Sequence, residues 1–119
     1  MSGRVLIVED EPFIAEALEF ILSREGITVT VARDGGAALT MVGGYDLIVL
    51  DIMLPGASGF EIAEAAAALS PRPKVCVLSA KGQPADQETM RTIGVDAFVT
   101  KPFSNKALME TIKTLLAAP

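Results

Sequence analysis

Apolar positions along the chain fall into two alternating patterns. Short, unbroken runs rich in β-branched residues recur as VLIV at 5–8, LIVL at 47–50 and VCVL at 75–78. Runs of this kind fit strands buried on both faces. TVTVA at 28–32 alternates instead, as an edge strand does, and DAFVT at 96–100 reads as a weaker fifth strand. Between these runs the spacing turns helical. Ile14, Leu18, Ile21 and Leu22 share one face of a segment that opens with Pro12 and stops before Gly26, residues suited to those two ends of a helix. Leu108, Ile112, Leu115 and Leu116 repeat the pattern in the last segment, with Ser104 placed to cap it. Asp34 is placed to cap a short helix over 35–42, while 59–69 and 85–93 supply the remaining two. LPGASG and SAKGQPAD carry the turn residues of loops.

Strand–helix alternation repeated in this way predicts an α/β fold with a parallel sheet covered by helices on both faces. Right-handed crossovers leave few topologies, and a doubly wound (βα)5 sheet in order 2-1-3-4-5, the flavodoxin-like order, is the natural one. The 119 residues fit a single domain, with its core over about residues 4–117 and no output domain expected in the chain.

Composition narrows the function more than the fold. Half of the residues are hydrophobic and 21% are charged, which excludes a disordered chain. A net charge of −5 lacks the basic footprint of phosphate-backbone binding, so no direct nucleic-acid contact by this chain is expected. Cys76 is the single cysteine and no histidine is present. An internal disulfide, Ser-His-Asp or Cys-His catalysis and histidine-ligated metals are therefore excluded. MSGRVLIVED carries no signal-peptide pattern, and no apolar run approaches membrane-spanning length. A cytoplasmic protein without a membrane partner is the resulting expectation.

Asp51 stands out because it ends the apolar run LIVL. Burying a carboxylate is expensive unless something pairs with it, so Asp51 either caps the next turn or has its charge put to use. In a 2-1-3-4-5 sheet, ligands bind beyond the carboxyl ends of strands 1 and 3, where the order reverses. Strand 1 ends in Glu9, Asp10 and Glu11, which places Asp10 opposite Asp51 with Glu9 beside them. Clustered carboxylates repel, and a hard divalent cation such as Mg2+ relieves that repulsion through oxygen ligands. Strand 4 ends in Ser79 and strand 5 in Lys101, followed by Pro102 and Phe103. Together these groups can hold a phosphoryl group: cation and ammonium balance its charge, the hydroxyl donates to it, and a carboxylate attacks. Each residue alone has an ordinary explanation as a turn cap, a solvated loop or a surface lysine. Their convergence at one sheet edge favours the chemical reading.

LIVEDE, VLDIMLPGASG, VLSA and FVTKPF resemble, in order and spacing, the motifs of bacterial two-component response-regulator receiver domains, over about residues 4–117. The resemblance implies that Asp51 is the phosphoacceptor, taking its phosphoryl group from a phosphohistidine on a sensor histidine kinase or histidine phosphotransfer protein. It assigns Mg2+ to Asp10 and Asp51, to Glu9 acting mostly through water, and to the backbone carbonyl of Met53. Lys101 would pair with the phosphoryl oxygens, Ser79 would swing towards them, and Phe98 at the aromatic switch position would turn inward. Leu78 and Phe98 are equally suited to plain core packing. The Lys101–Pro102 bond is expected to be cis. The output surface would be the fourth helix, fifth strand and fifth helix, about residues 85–117, signalling to a downstream protein or an output domain. Such a domain is a signalling switch and not an enzyme, promoting only its own phosphotransfer and dephosphorylation.

The resemblance also gives meaning to departures from the commoner pattern. Ser79 stands where threonine is commoner, and Phe98 where many members have tyrosine. The last helix lacks a terminal arginine pair and GVDAF carries a single acid, which disfavours the dimer of transcription-factor receivers. A monomer or a phosphorylation-linked dimer is expected, with kinase choice residing on the first helix around Phe13 to Leu22. Two rivals are a haloacid-dehalogenase-type phosphatase, which wants a second Asp where Met53 stands, and a non-phosphorylated pseudo-receiver, against which Asp10, Asp51, Ser79 and Lys101 all argue. The resemblance implies that Met53 and Lys81, two residues after Asp51 and Ser79, occupy positions that tune the approach of water to the acyl phosphate. Met53 is bulky and is expected to shield it. Met53→Asn should therefore speed dephosphorylation, followed as loss of phosphorylated mass with time, whereas an unchanged rate contradicts the shielding role.

Overall fold

The computed structural model describes residues 3–79 and 84–118. Lys81 lies outside them. Five strands, β1 (Arg4–Val8), β2 (Thr28–Ala32), β3 (Leu47–Asp51), β4 (Lys74–Ser79) and β5 (Ala97–Thr100), alternate with five helices, α1 (Pro12–Arg24), α2 (Gly35–Leu39), α3 (Gly59–Ala67), α4 (Pro84–Ile93) and α5 (Asn105–Ala117). The strands form one parallel sheet in order β2-β1-β3-β4-β5. That is the predicted flavodoxin-like topology, with the alternating segment TVTVA at the edge.

The period of two within each strand divides the core into two layers. Leu6, Val8, Ile48, Leu50, Val75 and Val77 pack with Ala38, Ile62, Ala66 and Met90 of α2, α3 and α4. Val5, Ile7, Leu47, Val49, Cys76 and Leu78 pack with Leu18, Leu22, Leu108 and Ile112 of α1 and α5. The three central strands are therefore apolar on both sides, as their unbroken runs demand. Cys76 belongs to the second layer, where burial first, and then the charge of Asp96, push its thiol up to about 12. It serves as packing.

Helix ends follow local chemistry. Asp34, Ser58 and Ser104 accept from backbone amides at the starts of α2, α3 and α5, and Ser58 with Glu61 completes a capping box. The helix expected over 35–42 ends at Leu39, because the Thr40 and Met41 amides bond three residues back and tighten the chain before Gly44, whose φ is 90°. The helix expected over 59–69 ends at Ala67, ahead of Pro71. Strand β3 runs one residue further than the apolar run, so Asp51 belongs to the ladder. The Lys101–Pro102 bond is cis, as is Ser70–Pro71. Among the described residues, no helix is long and apolar enough to cross a membrane.

Candidate functional site

The register of β1 on β3 sets Val8 opposite Leu50, and one step further it brings Glu9 and Asp51 side by side at the carboxyl edge. Glu9 is held there because its amide donates to the Ala32 carbonyl at 3.1 Å, just beyond the β1–β2 ladder. Glu9 is fully buried and Asp51 nearly so, at 8% exposure. From the other side, the Lys101 amide donates to the Ser79 carbonyl at 2.7 Å, which fixes the residue directly after β5. The Lys101 ammonium then reaches both acids, at 2.8 Å from Asp51 Oδ2 and 3.1 Å from Glu9 Oε1.

The remaining Asp51 oxygen, Oδ1, accepts from the Met53 amide at 3.3 Å. Asp51 thus does both things that its place in the sequence allowed: it braces the next turn, and its charge is paired. Asp10 is exposed, yet one carboxylate oxygen from each of Glu9, Asp10 and Asp51 lies within 4.8 Å of the others. Three carboxylates against one ammonium leave an acidic cluster at the mouth of the sheet. Among the described residues, Glu9 Oε2 is a buried side-chain oxygen without a hydrogen-bond partner. Hard oxygen donors with one buried lone oxygen suit a hard divalent cation such as Mg2+.

The electrostatics follow from burial and crowding. Burial is the largest influence on Glu9, the neighbouring Asp51 adds to it, and the two together outweigh Lys101 to raise its carboxyl from 4.5 to about 7. For Lys101, burial is again the largest influence and works against its charge. Hydrogen bonds to Asp51 and Glu9 overcome that burial and hold its pKa above the ordinary value.

The other expected residues sit around this centre. Ser79 is buried at the end of β4, the strand next to β3, 1% exposed. Phe98 lies on β5 opposite Val77, half-buried against the α2–α4 layer, and lines a cavity of about 210 Å3 with Gln87, Arg91 and Val95. The Met53 side chain is 75% exposed, so among the contacts around Asp51 its backbone amide is the part that touches the site. The sequence pattern placed Glu9 beside the acids and did not pair it with Lys101. The place of Glu9 directly after the buried Val8, where its amide still bonds to Ala32 beyond the ladder, is what keeps it inside while Asp10 and Glu11 are exposed.

The profile of the response regulator receiver domain matches residues 5–113. The chain belongs to this family. It is a receiver domain of a two-component response regulator, a class of signalling switch. The sensory transduction protein RegX3 of Mycobacterium tuberculosis is 40% identical over 114 residues, covering 94% of this chain and 50% of that protein. The transcriptional regulatory protein YkoG of Bacillus subtilis is 39% identical over 117 residues, covering 97% of this chain and 51% of that protein. The receiver domain thus spans about half the length of these curated relatives. Among solved structures, the response regulator protein TrrA of Thermotoga maritima, in complex with Mg2+ and BeF, superposes with a TM-score of 0.81 at 35% identity, covering 94% of this chain and 97% of that one.

The raised Glu9 pKa has a definite sign. Between about 4.5 and 7 the folded, metal-free receiver keeps a proton on Glu9 that the unfolded chain has released. The stability from that retained proton is fully present below about 4.5 and is lost as pH rises through about 7. In buffer with a chelator, the unfolding free energy of the wild type minus that of Glu9→Gln should fall across this window. A flat difference between the two denaturation series contradicts a raised Glu9.

Proposed function

We propose that Asp51 accepts a phosphoryl group from a phosphohistidine on a histidine kinase or histidine phosphotransfer protein. The observation that carries this reading is the Lys101 ammonium held at 2.8 Å from Asp51 Oδ2 and 3.1 Å from Glu9 Oε1 at the carboxyl edge of the sheet. An Asp51 carboxylate oxygen attacks phosphorus, an O–P bond forms, the N–P bond to the imidazole breaks, and the imidazole nitrogen keeps the electron pair. Lys101 stays within reach of the new phosphoryl oxygens and balances their charge. The Ser79 hydroxyl donates to them from the neighbouring strand. Glu9, Asp10, Asp51 and the Met53 carbonyl would hold Mg2+, which supplies neutralising charge at the phosphoryl group.

Phosphorylation replaces the single carboxylate charge of Asp51 with a phosphoryl group that carries roughly −1.5 to −2 and three acceptor oxygens. Drawing Lys101 and Ser79 towards that group biases the chain after β4 and β5, and with it Phe98 and the α4–β5–α5 surface. That surface would then bind a downstream partner or output domain. Chemistry limited to the domain's own phosphotransfer and dephosphorylation keeps it a switch. The net charge of −5 argues against nucleic-acid contact by this domain itself. In a longer regulator of the kind that YkoG's name describes, such contact would fall to another domain.

Incubation with acetyl phosphate and Mg2+ should add one phosphoryl group to the intact mass of the wild type. Asp51→Asn and a sample with chelator should gain none. An equal gain in Asp51→Asn, or no gain in folded wild type, contradicts the assignment.

A further inference from the structure

Residues 52–58 join β3 to α3 and bring the Met53 amide to Asp51. This loop rests on the first turn of α2 through backbone atoms. The Gly35 amide donates to the Pro55 carbonyl at 2.8 Å. Gly35 is buried, and a Cβ placed on it would lie 1.7 Å from the Ala57 carbonyl oxygen and 2.9 Å from the Ala57 nitrogen. Both are closer than a real Cβ approaches, and the obstructing atoms are main chain, which cannot swing aside as the tip of a side chain can. Gly56 meets the same helix from the loop side. Its φ is 85°, and a Cβ there would lie 2.9 Å from the Gly36 nitrogen. Asp34 steadies the turn by accepting from the Ala37 amide at 2.8 Å.

At its other end the loop makes a contact with little room to spare. The Met53 amide is 3.3 Å from Asp51 Oδ1, towards the long limit of a hydrogen bond, so a further shift of a fraction of an ångström removes it. We propose that Gly35 is a positioning residue for the phosphoacceptor: its lack of a side chain lets the Pro55–Ala57 backbone seat against α2, and that seat keeps the Met53 amide on Asp51. Gly35 touches neither Asp51 nor the reacting atoms. It acts through the loop, and it ties the start of α2 to the geometry of the carboxylate that is phosphorylated. This rests on the reading of Asp51 as the phosphoacceptor.

The test compares wild type, Gly35→Ala and Ala15→Gly, the last being a buried change on α1, outside the 52–58 loop and α2. Two quantities are read: the Met53 amide resonance in metal-free protein, and the rate of phosphorylation by acetyl phosphate with Mg2+. Gly35→Ala should shift the Met53 amide and slow phosphorylation on the order of tenfold, as small misplacements of reacting groups do. Ala15→Gly should lower stability and change neither readout. If Gly35→Ala does not fold, Asp34→Ala carries the test, because it frees the first turn of α2 without adding an atom, and it should move both readouts the same way by less. A folded Gly35→Ala, or Asp34→Ala in its place, with the wild-type Met53 amide and the wild-type rate overturns the inference while leaving Asp51 as acceptor. A wild type that takes up no phosphoryl group overturns the reading of Asp51, and the inference falls with it.

Discussion

Two carboxylates buried at the edge of an apolar sheet are tolerable here because one ammonium serves both. Lys101 lies 2.8 Å from Asp51 and 3.1 Å from Glu9, and without it the pair would face uncompensated burial and mutual repulsion. Much of the fold can be understood as the means of delivering those three groups. Strand β1 ends where Glu9 must sit, β3 ends on Asp51, and the chain leaving β5 is bonded to Ser79 so that Lys101 turns back over the edge. Asp10 completes the acidic side from an exposed position. Burial first, and then the neighbouring Asp51, hold the Glu9 proton to about 7, and the acidic balance that remains suits the donor set to a divalent cation.

A site of this kind is poised and not saturated. Lys101 is bonded to two carboxylates, and on the proposed reading an arriving phosphoryl group would offer it stronger, more highly charged acceptors. Such an exchange of partners would fall where the chain enters Pro102 and α5, and so would apply a local electrostatic change to the β5–α5 part of the molecule. The loop on the opposite side of Asp51 is constrained differently. It is seated against α2 by main-chain contacts around Gly35 and Gly56, which leaves the chain after Asp51 little freedom on that side.

How much of this could be read from the sequence depended on the physical scale of each feature. The unbroken runs at β1, β3 and β4 and the alternating run at β2 dictated burial on both faces or on an edge, and the sheet order followed from handedness. Helix ends were less legible. The short helix after Asp34 stops at Leu39, and that depended on turn geometry near Gly44. Asp51 and Lys101 were evident because a charge at the end of an apolar strand demands a reason. Glu9 was harder: in the run EDE it resembles its solvated neighbours, and only its position directly after the doubly buried strand separates the buried acid from the exposed ones. The seat of the loop on α2 was not legible, because it is made by backbone atoms brought together from 34–37 and 55–57. A glycine in sequence does not disclose which main chain fills the space it leaves.

Lys101 is the counter-charge of a carboxylate cluster that also suits a metal. The direct measurement is Mg2+ affinity of folded wild type and of Lys101→Met by calorimetric titration at fixed pH and salt. Removing the ammonium leaves Glu9, Asp10 and Asp51 without their protein cation, so Mg2+ should bind Lys101→Met on the order of tenfold more tightly. Affinity that is unchanged or weaker in Lys101→Met would contradict a site built on that balance.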